Sequence, residues 1–118
     1  MPTASVIIAI GSSYQQAAHI RWASQRLSHL LQDVQFSRML WTADIRGTGQ
    51  YYMNRLIKGR TALAVSQLET TLKKLEKETC RTQNLVTADL DILQYNDERY
   101  HERDWQRSYI QLLLPDML

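Results

Sequence analysis

The chain has 118 residues, 44% hydrophobic and 22% charged; these proportions suit a single globular domain over residues 1–118 and argue against a long disordered tail or a collagen-like repeat. A formal charge of +2 is too small to argue for nucleic acid, and the apolar run Val6-Ile7-Ile8-Ala9-Ile10 is far shorter than the roughly 18–20 residues that cross a bilayer, so neither a nucleic-acid nor a membrane partner is expected. One cysteine, Cys80, without a CxxC or Cys/His companion, excludes an internal disulfide and a zinc ribbon and makes a reducing cytoplasm the expected compartment.

Residues 6–10 are β-branched and close on Gly11-Ser12-Ser13, which predicts a buried central strand ending in a turn. Ser13 followed by Gln16 predicts a capping box. It opens a helix whose apolar stripe is Ile20, Ala23, Leu27, Leu30 and Leu31 and whose end falls near Gln32. A single strand is expected over residues 34–44, a turn over 46–50 and another strand over 51–59. Thr61 is the expected N-cap of a second helix, with Val65, Leu68, Leu72 and Leu75 on its apolar face and Glu69, Lys73, Lys74, Glu76, Lys77 and Glu78 on its wet one. A strand over 85–95, a turn at Asn96-Asp97-Glu98 and a short helix over 104–114 halted by Pro115 complete the chain. This order predicts an α+β, ferredoxin-like βαββαβ sandwich. Two helices cover one face of a four-stranded antiparallel sheet, the other face is free for ligands, and a C-terminal helix follows.

Charge is uneven along this frame: seven Arg and Lys against two acids in residues 1–60, and seven against ten in residues 61–118. Solvated helix faces produce such asymmetry as easily as a cation site does. The segment Asp89-Leu90-Asp91-Ile92 carries more information, because side chains alternate along a strand. Asp89 and Asp91 then project together from the open face while Leu90 and Ile92 enter the core. Adjacent carboxylates repel unless a cation lies between them, and hard oxygen donors suit Mg²⁺ shared with a nucleotide phosphate. On this motif alone, two solvated acids on an exposed strand are the simpler reading.

In combination, Val6 to Ser12, Tyr52-Met53-Asn54, Glu76, Arg81, Asp89-Leu90-Asp91-Ile92 and the run from His101 through Arg107 to Tyr109 resemble the 6-hydroxymethyl-7,8-dihydropterin pyrophosphokinases of folate biosynthesis. The resemblance implies Mg²⁺-dependent transfer of pyrophosphate from ATP to a pterin alcohol. It implies that Asp89 and Asp91 hold Mg²⁺, that Arg81, His101 and Arg107 bind ATP, and that Tyr52, Asn54 and Tyr109 bind the pterin. Asp89, Asp91, Arg81 and Arg107 would be the catalytic set. Tyrosines on a sheet, a strand-end asparagine, a loop histidine and surface arginines such as Arg103 also occur without any of these roles. The chain departs from the family at two loops. Only residues 82–88 separate Arg81 from Asp89, with Val86 where the resemblance leads to an arginine, and residues 43–50 contain no proline. A shortened loop implies weak activity, because a lid supplies charge to the transition state. The alternative is a non-catalytic module of the same fold that binds a nucleotide or a pterin. An RNA-binding ferredoxin-like domain ranks below both, because the aromatic RNP pattern is missing and two acids on the sheet face would repel phosphates.

Overall fold

The computed structural model describes residues 2–43, 47, 49–79 and 87–117. Five principal strands and a short sixth form one sheet: β1 (Ala4–Ser12), β2 (Gln32–Phe36), β3 (Leu40–Ala43), β4 (Tyr51–Thr61), β5 (Asp89–Tyr95) and β6 (Glu98–Arg99). The strand order is β2-β4-β1-β5-β6, with β3 also on β4, and all pairs are antiparallel. Helices α1 (Gln16–Leu30) and α2 (Val65–Glu78) cover one face. The ferredoxin-like α+β expectation holds, with six strands in place of four.

The extra strands have local causes. The single strand expected over 34–44 is broken at Ser37, and its halves β2 and β3 lie end to end along β4. Ser37 N–H donates to the Leu56 carbonyl at 2.9 Å, but the Ser37 carbonyl is turned to accept Arg55 Nε at 2.9 Å. The Ser37 hydroxyl takes the carbonyl's place, accepting the Leu56 N–H at 2.7 Å. Strand β6 arises because the expected turn at Asn96 folds the chain back on β5, with Asn96 in the left-handed region at φ 53°.

Both helix starts differ from expectation. Gln16 does not complete a capping box with Ser13; its side chain donates to the Ser13 and Tyr51 carbonyls, and the N-cap is Gln15. Thr61 ends β4 and caps a turn by accepting Leu63 N–H, so α2 begins later, with Gln67 accepting Ala64 N–H at 3.0 Å. Ile20, Ala23 and Leu27 of α1 and Leu68, Leu72 and Leu75 of α2 bury against Val6, Ile8, Ile10, Met53, Ile57, Leu90 and Ile92. Each buried large side chain stabilises this core by about 1.5–3 kcal/mol relative to exposure. Glu76, expected on the wet face, is 5% exposed and accepts the Leu90 N–H at 2.8 Å. A buried carboxylate at that place anchors β5 to α2.

The second face of the sheet is not open along its length. The single terminal helix expected over 104–114 is two short ones, α3 (Glu102–Trp105) and α4 (Ser108–Leu113), followed by a 3-10 turn, Leu114–Met117, that contains Pro115. Trp105, Ile110, Leu113 and Met117 pack on Leu56 and Leu93 from this face. Trp105 Nε1 donates to the Leu93 and Tyr100 carbonyls, both at 3.1 Å. Arg38 holds Asp116 at 2.9 Å and the Leu112 carbonyl at 3.1 Å. The C-terminal segment thereby becomes one wall of a cleft whose floor is the sheet.

Candidate active site

Strand register builds the floor of this cleft. Gly11 of β1 lies opposite Asn54 of β4 on one side and Asp89 of β5 on the other, and Ala9 lies between Leu56 and Asp91. Thr42 of β3 pairs with Tyr52. Two small residues on the central strand therefore run between the carboxylates and the Tyr52/Asn54 pair. A Cβ at position 11 would stand 3.2 Å from Asn54 Oδ1 and 3.9 Å from the Tyr52 ring, so glycine leaves the space that larger residues would fill.

The cleft encloses about 220 Å³ and is lined by Tyr52, Asn54, Asp89, Asp91, Arg107 and Tyr109 together with Gly11, Thr42 and Asp104. Six of the eight expected site residues therefore meet in one place, Tyr52 and Tyr109 included, although they come from three separate regions of the chain. His101 stands at the rim in the left-handed region, its Nε2 3.9 Å from Asp91 Oδ1. Arg81 and Val86 lie outside the described residues. Arg103 is exposed on α3 and is not among the residues lining the cleft.

Two residues of the lining carry no sequence motif. Thr42 Oγ1 accepts Asn54 Nδ2–H at 2.7 Å, which fixes the amide of the 8%-exposed Asn54 and leaves its Oδ1 toward Gly11. Alternation along β3 with Leu40, which packs inward on the same face, was the available signal for Thr42. Asp104 holds Arg107 Nε at 3.1 Å, an i,i+3 acid and base pair of a kind that is ordinarily a surface feature.

The electrostatics are those of a crowded carboxylate pair. Burial, with the neighbouring Asp89 next, pushes the Asp91 carboxyl up to about 7, and His101 opposes the rise. Burial, with Asp104 next, pushes the Tyr109 phenol up to about 12, so it stays a neutral hydrogen-bond donor. Paired carboxylates whose ionisation is resisted are relieved by a divalent cation, so the donor set fits Mg²⁺ in charge and hardness. No group of three or more His, Cys, Asp or Glu that could hold a metal occurs among the described residues. Two carboxylates alone match a metal that takes its other ligands from phosphates and water, which is how Mg²⁺ is usually bound. Among the described residues no helix is long and apolar enough to cross a membrane.

Residues 7–118 match the family described as 7,8-dihydro-6-hydroxymethylpterin-pyrophosphokinase (HPPK). A folate synthesis bifunctional protein of Arabidopsis thaliana is 35% identical over an aligned length of 80, gaps included, and the alignment covers 57% of this chain and 16% of that protein. The match thus spans about a sixth of the length of that relative.

Proposed function

The chain belongs to the 7,8-dihydro-6-hydroxymethylpterin-pyrophosphokinase family, and on that footing we propose that it transfers pyrophosphate from ATP to 6-hydroxymethyl-7,8-dihydropterin in a Mg²⁺-dependent step of folate biosynthesis. The observation that supports this most directly is the row Asn54, Gly11, Asp89 across three strands. It sets a recess of about 220 Å³ beside a carboxylate pair, lined by Tyr52 from the sheet and Tyr109 from the C-terminal segment.

In this reading Tyr52 and Tyr109 stack on the pterin ring. Asn54, with its Nδ2 engaged by Thr42, presents Oδ1 to an N–H on the ring's edge. Asp89 and Asp91 would hold Mg²⁺, which when bound neutralises charge on the triphosphate and on the transferred group. Arg107 grips phosphate oxygens as a planar fork, and His101 adds a donor at the rim. Arg81 would be a further phosphate ligand on the family resemblance. The pterin hydroxymethyl oxygen gives up its proton to solvent as it forms a bond to the β-phosphorus, the bond from that phosphorus to the α-phosphate oxygen breaks, and AMP leaves carrying that oxygen. No covalent intermediate on the protein is required, and the residues contribute mainly position and charge. With Val86 where an arginine would supply charge, the expected rate is low.

The test is AMP release that requires both Mg-ATP and the pterin alcohol. Binding of both ligands without AMP release would instead make the chain a binding module of the same fold. Failure to bind either would overturn the reading.

A further inference from the structure

Arg107 is the one arginine lining the cleft among the described residues, and its side chain is already engaged before any ligand arrives. Asp104 lies three residues earlier, and the two are joined twice: Arg107 N–H donates to the Asp104 carbonyl at 3.1 Å, and Arg107 Nε donates to Asp104 Oδ1 at 3.1 Å. Arg107 is also the N-cap of α4, with extended φ and ψ of −70° and 141°, and its carbonyl accepts Gln111 N–H at 3.2 Å. The backbone is thus fixed on both sides, and the guanidinium is held at its inner nitrogen alone. No hydrogen bond or ion pair involves its two Nη groups among the described residues.

We propose that Asp104 is a positioning residue for the nucleotide: by holding Arg107 at Nε, it aims the remaining N–H groups of the fork at the phosphates. This rests on reading the cleft as a nucleotide site. A long arginine side chain loses rotamer freedom when it grips a ligand, and a contact made beforehand removes part of that cost from the binding step. Electrostatics alone argue the opposite sign. Asp104 is a third carboxylate in a cleft that already contains Asp89 and Asp91, and a purely repulsive acid would weaken nucleotide binding, so that its removal would tighten it. The two accounts therefore separate on the direction of one measurement.

The experiment is calorimetric titration of the full chain with Mg²⁺ and a non-hydrolysable ATP analogue, for Asp104→Ala, Asp104→Asn, Arg107→Ala and the Asp104→Ala/Arg107→Ala double variant. Asp104→Ala is expected to weaken binding about tenfold, the lower end of what supporting partners usually contribute. Asp104→Asn, whose amide oxygen still accepts Nε–H, is expected to retain affinity within about threefold. The double variant is expected to match Arg107→Ala, because Asp104 acts through Arg107. Unchanged or tighter nucleotide binding by Asp104→Ala overturns the proposal, as does a full tenfold further loss on adding Asp104→Ala to Arg107→Ala. If Arg107→Ala itself binds normally, Arg107 leaves the nucleotide site and the preceding reading of it fails as well; if Arg107→Ala is weak and Asp104→Ala normal, positioning alone fails.

Discussion

Replacing Asp91 by Asn is expected to make the metal-free protein more stable while removing its response to Mg-ATP. The Asp91 carboxyl is pushed from its ordinary 3.8 up to about 7, chiefly by burial and then by Asp89. At about 1.4 kcal/mol per pH unit this sets a ceiling of about 4 kcal/mol on the cost of ionising it in the folded chain. The side chain keeps 25% of its exposure, and Asp89 shares the repulsion, so about 2 kcal/mol is the expected gain. The sign follows from proton uptake. Between about pH 4 and 7 the folded chain holds a proton that the unfolded chain has lost, so wild-type stability falls as pH rises through that window and levels off above it. Asp91→Asn has no such slope, and its amide can donate to Asp89. Urea unfolding at pH 4.5 and 8.5, with and without Mg-ATP, reads all of this. The two proteins are expected to be similar at pH 4.5, the variant more stable at pH 8.5, and only the wild type further stabilised by Mg-ATP. A variant that is less stable at pH 8.5 without metal, or whose difference from wild type does not change with pH, would refute the reasoning.

Gly11→Val is expected to fold, by circular dichroism, but to lose pterin binding measured by fluorescence, because its Cβ alone already stands 3.2 Å from Asn54 Oδ1; undiminished binding would remove the β1 floor from the site. Ser37→Ala is expected to cost about 2 kcal/mol, since it strips the buried Leu56 N–H of its acceptor, and to lower the urea midpoint without changing the slope. An unchanged midpoint would mean that the strand break repairs itself. Turnover with saturating Mg-ATP and pterin alcohol is expected to fall below the roughly 1–100 per second of ordinary kinases; a rate inside that range would show that the short loop supplies enough charge.

The Asp-Leu-Asp-Ile face assignment could be read from sequence because a strand offers only two faces and its apolar members claimed one of them. Leu90 and Ile92 are in the main core, which leaves Asp89 and Asp91 for the other side. The break at Ser37 could not be read that way. It depends on a hydroxyl substituting for a carbonyl across to Leu56, and no local pattern encodes that partner. Glu76 shows a different failure. The i,i+4 row Leu68, Leu72, Glu76 points into the core, but a carboxylate reads as solvated until the Leu90 N–H that it accepts is known. Position 110 had the spacing of a packed helix with Leu113, yet the sheet face it covers was a matter of tertiary docking.

The terminal segment that closes this face is held by Trp105, Ile110, Leu113 and Met117, a smaller cluster than the one beneath α1 and α2. Clusters of unequal size open at unequal free energies, and the lesser one can undock while the rest of the chain stays folded. Arg107 and Tyr109 travel with it, whereas Tyr52, Asn54 and both aspartates remain on the sheet. A ligand bridging the two sides therefore works against that undocking, and its apparent affinity is multiplied by the fraction of molecules already closed. A substitution at Leu113, which is buried and is not among the residues lining the cleft, would loosen binding through that fraction, and amide exchange in α4 would slow as ligand is added.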